Sequence, residues 1–132
     1  GAASNNDLDL FSELKTAALV GKAIAQNAAA LDAHTALRMA TLNGAKALGM
    51  EDLIGSLEVG KLADVTAVDL GELSMQPLYN PASQLIYTHA GQAVTHVWVE
   101  GKQLLANRVL QTLNEREILG KANWWRKQIT SH

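Results

Sequence analysis

The hydrophobic pattern of the chain changes its period near Ile54, and this change limits the folds that the chain can adopt. Before this point apolar residues recur at helical spacing, first through Leu10, Leu14 and Ile24 and then again from Asp32 onward. After it, short β-branched runs alternate with turn residues, as they do in strands. Helices followed by a block of strands indicate an α+β fold, or parts of two domains.

Local signals divide the chain into three segments. Residues 1–53 are expected to be helical, residues 54–111 to form strands and turns, and residues 112–132 to form a last helix. Within the β segment, residues 63–70 are typical of a strand. Residues 95–105 predict a β-hairpin.

Single residues set several expected boundaries. Ser4 and Asp7 have the spacing of a capping box for a first helix over 6–26. Asn43-Gly44 is expected to interrupt the second helix, which then ends at Gly49. Residues 71–81, which contain both prolines, are expected to form a loop.

Turns and caps in the second half are predicted in the same way. Residues 55–61 are expected to begin a strand and then turn tightly, with Lys61 and Asp64 paired at the strand start. Thr112 and Glu115 suggest a capping box for the last helix. The apolar residues of that helix share one face: Ile118, Ala122, Trp125 and Ile129.

Composition excludes several classes of function. A net charge of −2 provides no basic field for nucleic acid or anionic lipid. The absence of cysteine excludes disulfides, thiolate catalysis and cysteine-based zinc sites, and it is compatible with a reducing cytoplasm, the expected location. No apolar run approaches the roughly 18 residues of a membrane span, and the first residues lack the features of a signal peptide.

The β segment carries a recognisable pattern. Residues 55–65, GSLEVGKLADV, resemble the G-x-[LI]-x-x-G-[KY]-x-A-D-[LVF] stretch of the amidohydrolase superfamily. In that family the stretch leads the chain out of a catalytic (β/α)8 barrel and into a small β-sandwich. Residues 97–102, VWVEGK, resemble the returning hairpin of the same sandwich. The resemblance implies the C-terminal part of an amidohydrolase: the last helices of an incomplete barrel, then sandwich strands and a terminal helix.

Two further stretches narrow the resemblance. Residues 1–11, GAASNNDLDLF, and residues 32–45, DAHTALRMATLNGA, resemble methylthioadenosine/S-adenosylhomocysteine deaminases and related chlorohydrolases. These patterns occur in the family's order, and the resemblance covers nearly the whole chain. The missing initiator methionine, taken with them, favours a truncated chain.

The resemblance also implies a chemistry. Members of this branch deaminate adenosine-type nucleosides with water that is activated by zinc or iron. Their metal ligands are an early His-x-His pair, two later histidines, and an aspartate immediately before the glycine that matches Gly1. This sequence contains neither that aspartate nor a His-x-His pair. No catalytic or metal-binding residue is therefore assigned, and the chain alone is expected to be inactive.

A few residues remain candidates for substrate binding. Ser4, Asn5 and Asn6 would follow the missing aspartate at the catalytic mouth of the barrel, although capping of the first helix explains them equally well. His89 follows the proline-containing loop, which could reach back toward the barrel. The other histidines have simpler interpretations than metal binding: capping or packing for His34, a surface position for His96, and a disordered chain end for His132.

Two hypotheses follow. In the first, the chain is part of an amidohydrolase that acts on a small nucleoside, and its uncovered apolar faces and strand edges favour self-association. In the second, it is a complete non-catalytic α+β interaction module. Within the first, related purine deaminases and triazine chlorohydrolases share much of the same pattern, and the sequence does not separate them.

Overall fold

A computed structural model describes residues 7–130. Its helices and strands occur in a mixed order, with four of the five α-helices before or between the strands. The elements are α1 (Leu10–Ala25), α2 (Ala33–Arg38), a π-helical stretch (Met39–Asn43), α3 (Gly44–Ala47), β1 (Val65–Val68), a 3-10 turn (Leu73–Met75), α4 (Pro81–Tyr87), a 3-10 turn (Ala90–Ala93), β2 (Val94–Val99), β3 (Lys102–Ala106), β4 (Val109–Leu110) and α5 (Glu115–Thr130).

Helix α1 begins later than predicted. Its N-cap is Asp9, whose carboxylate accepts hydrogen bonds from the Phe11 amide at 2.9 Å and the Ser12 hydroxyl at 3.0 Å. Ser4 of the expected capping box lies outside the described residues, and the expected helix start at residue 6 is wrong, because residues 7–9 are not helical and Asp9 caps the helix. The helix ends at Gln26, whose left-handed backbone (φ 48°) forms the C-cap.

The second helical stretch is longer than the sequence suggested. Asp32 caps α2 by accepting the Thr35 amide at 2.9 Å. The predicted interruption at Asn43-Gly44 is wrong: Gly44 has helical angles (φ −60°, ψ −46°), and the backbone passes through the π-helical stretch into α3. A glycine inside a helix costs about 1 kcal/mol relative to alanine, and burial of the neighbouring Ala45 helps to offset that cost. The predicted end at Gly49 (φ 66°) is confirmed.

Small side chains dominate the main core, which lies between α1, α2 and α4. Alanines let helix backbones approach closely, and the larger Ile86 fills the space between them. The buried members of this cluster are Leu14, Ala18, Ala33, Ala36, Ala82 and Ile86. A second cluster of Met75, Ala90 and Ala93 lies beside Phe11, Val68, Leu70 and Leu85, and joins the helices to the sheet.

Helix α4 (Pro81–Tyr87) was not predicted from the sequence. Asn80 caps this helix by accepting the Ser83 amide at 3.0 Å, and Pro81 occupies the first turn, where a missing amide hydrogen is harmless. The prolines had been interpreted as loop signals only. The expected loop over 71–81 also contains a short 3-10 turn at Leu73–Met75.

The strands form one antiparallel sheet in the order β1-β2-β3-β4. Strand β1 pairs with β2 in a register that places Val65 opposite Trp98. The predicted β2–β3 hairpin is confirmed. Both central residues of its turn have positive φ, Glu100 at 50° and Gly101 at 76°. Turns of this kind match the twist of the strands in a two-residue hairpin. Strand β4 was not predicted.

Residues 55–61 do not form the predicted strand start. They belong to a closed loop in which the Leu62 amide donates to the Leu53 carbonyl at 2.8 Å. Lys61 anchors this loop: its side chain is only 12% exposed, and its ammonium group donates to the Glu51 carbonyl and to the Ser56 hydroxyl. The Ser56 hydroxyl and the Lys61 charge lower the pKa of the Glu58 carboxyl.

Asp64 has a different partner from the one predicted. Its carboxylate accepts the Glu100 amide at 2.7 Å, while the Gly101 amide donates to the Ala63 carbonyl at 3.1 Å. The expected Lys61–Asp64 pair is therefore wrong, because each side chain secures a different backbone segment. Asp64 links β1 to the hairpin turn.

The last helix lies on the surface. Asn114, rather than Thr112, caps α5: its side-chain oxygen accepts the amides of Arg116 at 3.1 Å and Glu117 at 3.3 Å. No residue of α5 is buried. Within residues 7–130, no helix has the length and apolar character needed to cross a bilayer.

Gly55 and Gly60 form a matched pair for mutation. Both have positive φ, but a Cβ on Gly55 would lie 2.7 Å from the Ala45 Cβ, whereas one on Gly60 would meet no atom within 4 Å. We expect Gly55→Ala to lower the free energy of unfolding by roughly 3 kcal/mol, since steric overlap adds to backbone strain. Gly60→Ala should cost about 1 kcal/mol. Urea unfolding followed by circular dichroism measures both, and equal losses would contradict the close packing.

The Asp32 cap gives a pH-dependent prediction. Hydrogen bonds from Thr35 lower the pKa of the Asp32 carboxyl below its usual 3.8, so folding favours the ionised form. Its stabilisation is therefore complete above that value and is lost as the pH falls through the folded pKa. Asp32→Asn keeps an acceptor but cannot titrate, so its Tm should fall less than that of the wild type between about pH 5 and pH 2. Parallel Tm–pH curves would contradict the assignment.

Candidate functional site

The structure places only part of the predicted substrate site. Ser4, Asn5 and Asn6 lie outside the described residues. His89 is exposed and immediately precedes the 3-10 turn at Ala90–Ala93. Its predicted contact with substrate stays a prediction.

The loop after His89 lies beside the start of α1, where Gly91 packs against the Asp9 carboxylate. A Cβ on Gly91 would lie 2.9 Å from both carboxylate oxygens of Asp9. Only a glycine fits here without moving that carboxylate, which caps α1 at the same time. The segment that follows residues 4–6 and the segment that follows His89 are therefore neighbours. Gly91 was not predicted as part of the site, although a lone glycine two residues after the candidate His89 was a usable signal.

An open depression of about 660 Å³ lies next to this contact. Its charged side chains already have partners: Asp9 caps α1, and Arg108 forms an ion pair with Glu72. No pair of groups suited to acid–base catalysis appears among its described residues. Its lining comprises Leu8, Asp9, Leu10, Phe11, Gly91, Gln92, Val94, Leu105 and Arg108.

A second cleft, of about 640 Å³, separates the helices from β1. Most of its lining is apolar, with Leu14 and Leu37 on the helical side and Val65 and Val68 on the strand. A cleft of this size and character resembles a ligand pocket, but it also resembles the uncovered face of a larger core.

The described residues do not provide a metal centre. No group of three or more histidine, aspartate or glutamate side chains within 7–130 could hold a metal ion. His96 has a packing role instead. The expected surface position is wrong, because the residue is half-buried. Its ring stacks on Trp98, with ring centres 5.5 Å apart. Its Nδ1 lies 2.9 Å from the Thr95 hydroxyl. Zinc or iron therefore does not fit the donors present in this part of the chain.

Comparisons with known proteins agree with this geometry. A model of the amidohydrolase family matches residues 1–104. A 5-methylthioadenosine/S-adenosylhomocysteine deaminase from Teredinibacter turnerae is 57% identical over 98% of this chain, which spans 29% of that protein. An adenosine deaminase from Xanthomonas campestris, solved with bound zinc, superposes on the full chain with a TM-score of 0.95 and 52% identity, and the chain covers 30% of it. A zinc-bound atrazine chlorohydrolase from Arthrobacter aurescens matches 93% of the chain with a TM-score of 0.84 and 31% identity; the chain covers 27% of it.

The Asp9–Gly91 contact predicts a specific coupling. Gly91→Ala should displace the Asp9 carboxylate from the helix cap and lower the free energy of unfolding by about 1 kcal/mol. In an Asp9→Ala background the same substitution should cost much less, because the cap is already lost. A urea-unfolding double-mutant cycle measures this difference. Gly120→Ala, at a helical position with no neighbour within 4 Å, is the control and should not destabilise the chain. Additive losses would contradict the contact.

Proposed function

Because the chain belongs to the amidohydrolase family, we propose that it is the C-terminal portion of a metal-dependent hydrolase that deaminates adenosine-type nucleosides. The observation that carries the proposal is the 57% identity to the Teredinibacter deaminase along nearly the whole chain. Methylthioadenosine and S-adenosylhomocysteine are the proposed substrates. The proposal concerns a longer protein, since the chain spans less than a third of such relatives.

In this proposal the chain contributes structure and substrate contacts, not the metal. The donors within 7–130 do not form a metal group, so the ligands come from elsewhere in the longer protein. The apolar cleft between the helices and β1 is then covered by preceding parts of the catalytic barrel. The Asp9–Gly91 contact holds the segment after His89 against the start of α1, which supports a nucleoside contact by His89. Ser4, Asn5 and Asn6 are the other proposed contacts.

The alternatives have weaker support. The triazine hydrolase resembles the chain at 31% identity, against 52% for the Xanthomonas deaminase, and its TM-score is lower. A complete non-catalytic module would cover its own apolar surface. The described part of this chain instead exposes large side chains such as Leu57 and Leu48, which are 80% and 70% exposed.

A chimera tests the proposal directly. Residues 1–132 replace the aligned segment of the Teredinibacter deaminase, and the zinc-loaded product is assayed for ammonia release. We expect deamination of methylthioadenosine and S-adenosylhomocysteine, no reaction with guanine or atrazine, and no activity from the 132-residue chain alone. A folded, zinc-containing chimera without deaminase activity would contradict the proposal. So would a purified 132-residue chain that deaminates these nucleosides when supplied with zinc.

His89→Ala in that chimera tests the proposed contact. Loss of one hydrogen bond to bound nucleoside should raise KM by roughly tenfold with little change in kcat. His34→Ala, an exposed histidine at the start of α2, is the matched control and should leave both constants unchanged. An unaltered KM in His89→Ala would remove His89 from the substrate site.

A further inference from the structure

Asp9 makes more contacts than the capping of a helix requires. Its two carboxylate oxygens accept hydrogen bonds from the Phe11 amide and the Ser12 hydroxyl. Gly91 packs against the same carboxylate, since a Cβ at Gly91 would lie 2.9 Å from each of the two oxygens. Asp32 caps α2 in the same way, but no glycine within residues 7–130 has the Asp32 carboxylate among its nearest neighbours. The second contact is therefore particular to Asp9.

The turn that contains Gly91 is fixed on its other side. Ala90 and Ala93 are buried in one cluster with Met75. The Ala93 carbonyl also accepts the Asp69 amide at 2.8 Å. Because the turn is held in this way, it has no room to move away from Asp9, and a group added at Gly91 must widen the gap between the turn and the start of α1.

The size of that change matters for a binding site. Ordinary contacts between heavy atoms lie at about 3.5–4 Å, so a Cβ at 2.9 Å requires a movement of about 0.5–1 Å. Binding and catalytic groups must be held within about 0.5 Å of their working positions. A misplacement of 1 Å can lower a rate by up to about 100-fold. If the Asp9 carboxylate turns away instead, α1 loses its cap and its start is released.

We propose that Asp9 is a positioning residue for the nucleoside site. Its carboxylate, packed against Gly91, sets the spacing between the start of α1 and the segment that follows His89. The proposed nucleoside contacts are His89 and residues 4–6, which precede Asp9 by three to five positions. This inference therefore rests on the function proposed above, and Asp9 acts through these segments without touching the substrate.

Two helix caps provide a matched test in the zinc-loaded chimera with the Teredinibacter deaminase. Asp9→Ala should lower kcat/KM for methylthioadenosine roughly tenfold, chiefly by raising KM, because the proposed contacts move apart. Asp32→Ala removes the same kind of cap from α2 and should lower the Tm by a similar amount, but it should leave kcat/KM unchanged. Both variants should keep the zinc content and circular dichroism spectrum of the unmodified chimera.

A compensating pair of substitutions tests the contact itself. Gly91→Ala should lower kcat/KM roughly tenfold. Serine also caps helices, but its side chain is shorter than that of aspartate, so Asp9→Ser makes room for the methyl group of Gly91→Ala. The double variant should therefore recover most of the activity that Gly91→Ala loses.

This inference and the proposed function fail in different ways. A folded, zinc-containing chimera without deaminase activity would overturn both. An active chimera in which Asp9→Ala leaves kcat/KM unchanged, or in which Asp32→Ala lowers it equally, would overturn only the positioning role. Loss of zinc or of helical structure in Asp9→Ala, or no recovery of activity in the double variant, would also overturn that role.

Discussion

The packing of α4 against α1 and α2 is the interaction on which the rest of the described structure depends. Helix α4 lies between β1 and β2 in the sequence, yet its buried Ala82 and Ile86 belong to the helical core. Docking α4 therefore holds both ends of the β1–β2 connection against the helices. It also positions the next segment, so that Gly91 reaches Asp9 at the start of α1. Large side chains in place of the core alanines would push the helices apart and separate these regions.

Local signals predicted the parts of the fold that local interactions determine. The β2–β3 hairpin was predicted because residues 95–100 alternate and a turn was expected at Gly101-Lys102; in the structure the turn is one residue earlier, at Glu100-Gly101. The turn before β4 was missed because Asn107 and Arg108 adopt positive φ there without any glycine. Helix α4 was missed because Pro77 and Pro81 were interpreted as loop residues. A proline in the first turn is nevertheless compatible with a helix, as Pro81 is here.

The partners of the motif residues depend on distant parts of the chain, and sequence spacing does not reveal them. Lys61 and Asp64 are close enough in sequence to suggest a pair, but one anchors the loop at Glu51 and the other binds the Glu100 amide. Gly55 was identified only as part of a sequence pattern. The structure gives the physical reason for a glycine there: the Ala45 side chain occupies the space that a Cβ would need. The family was recognisable from these patterns because such non-local contacts restrict which residues fit.

The position of α4 within the sheet connection also affects how the protein forms during synthesis. Helices α1 and α2 are synthesised before α4, so their shared core lacks Ala82 and Ile86 until α4 has been made. The β2–β3 hairpin needs only neighbouring residues, whereas β1 must wait for β2 to emerge on the far side of α4. The alanine-lined faces of α1 and α2 therefore lack their α4 partner until residues 81–87 have been made, and the helical core is completed when α4 docks.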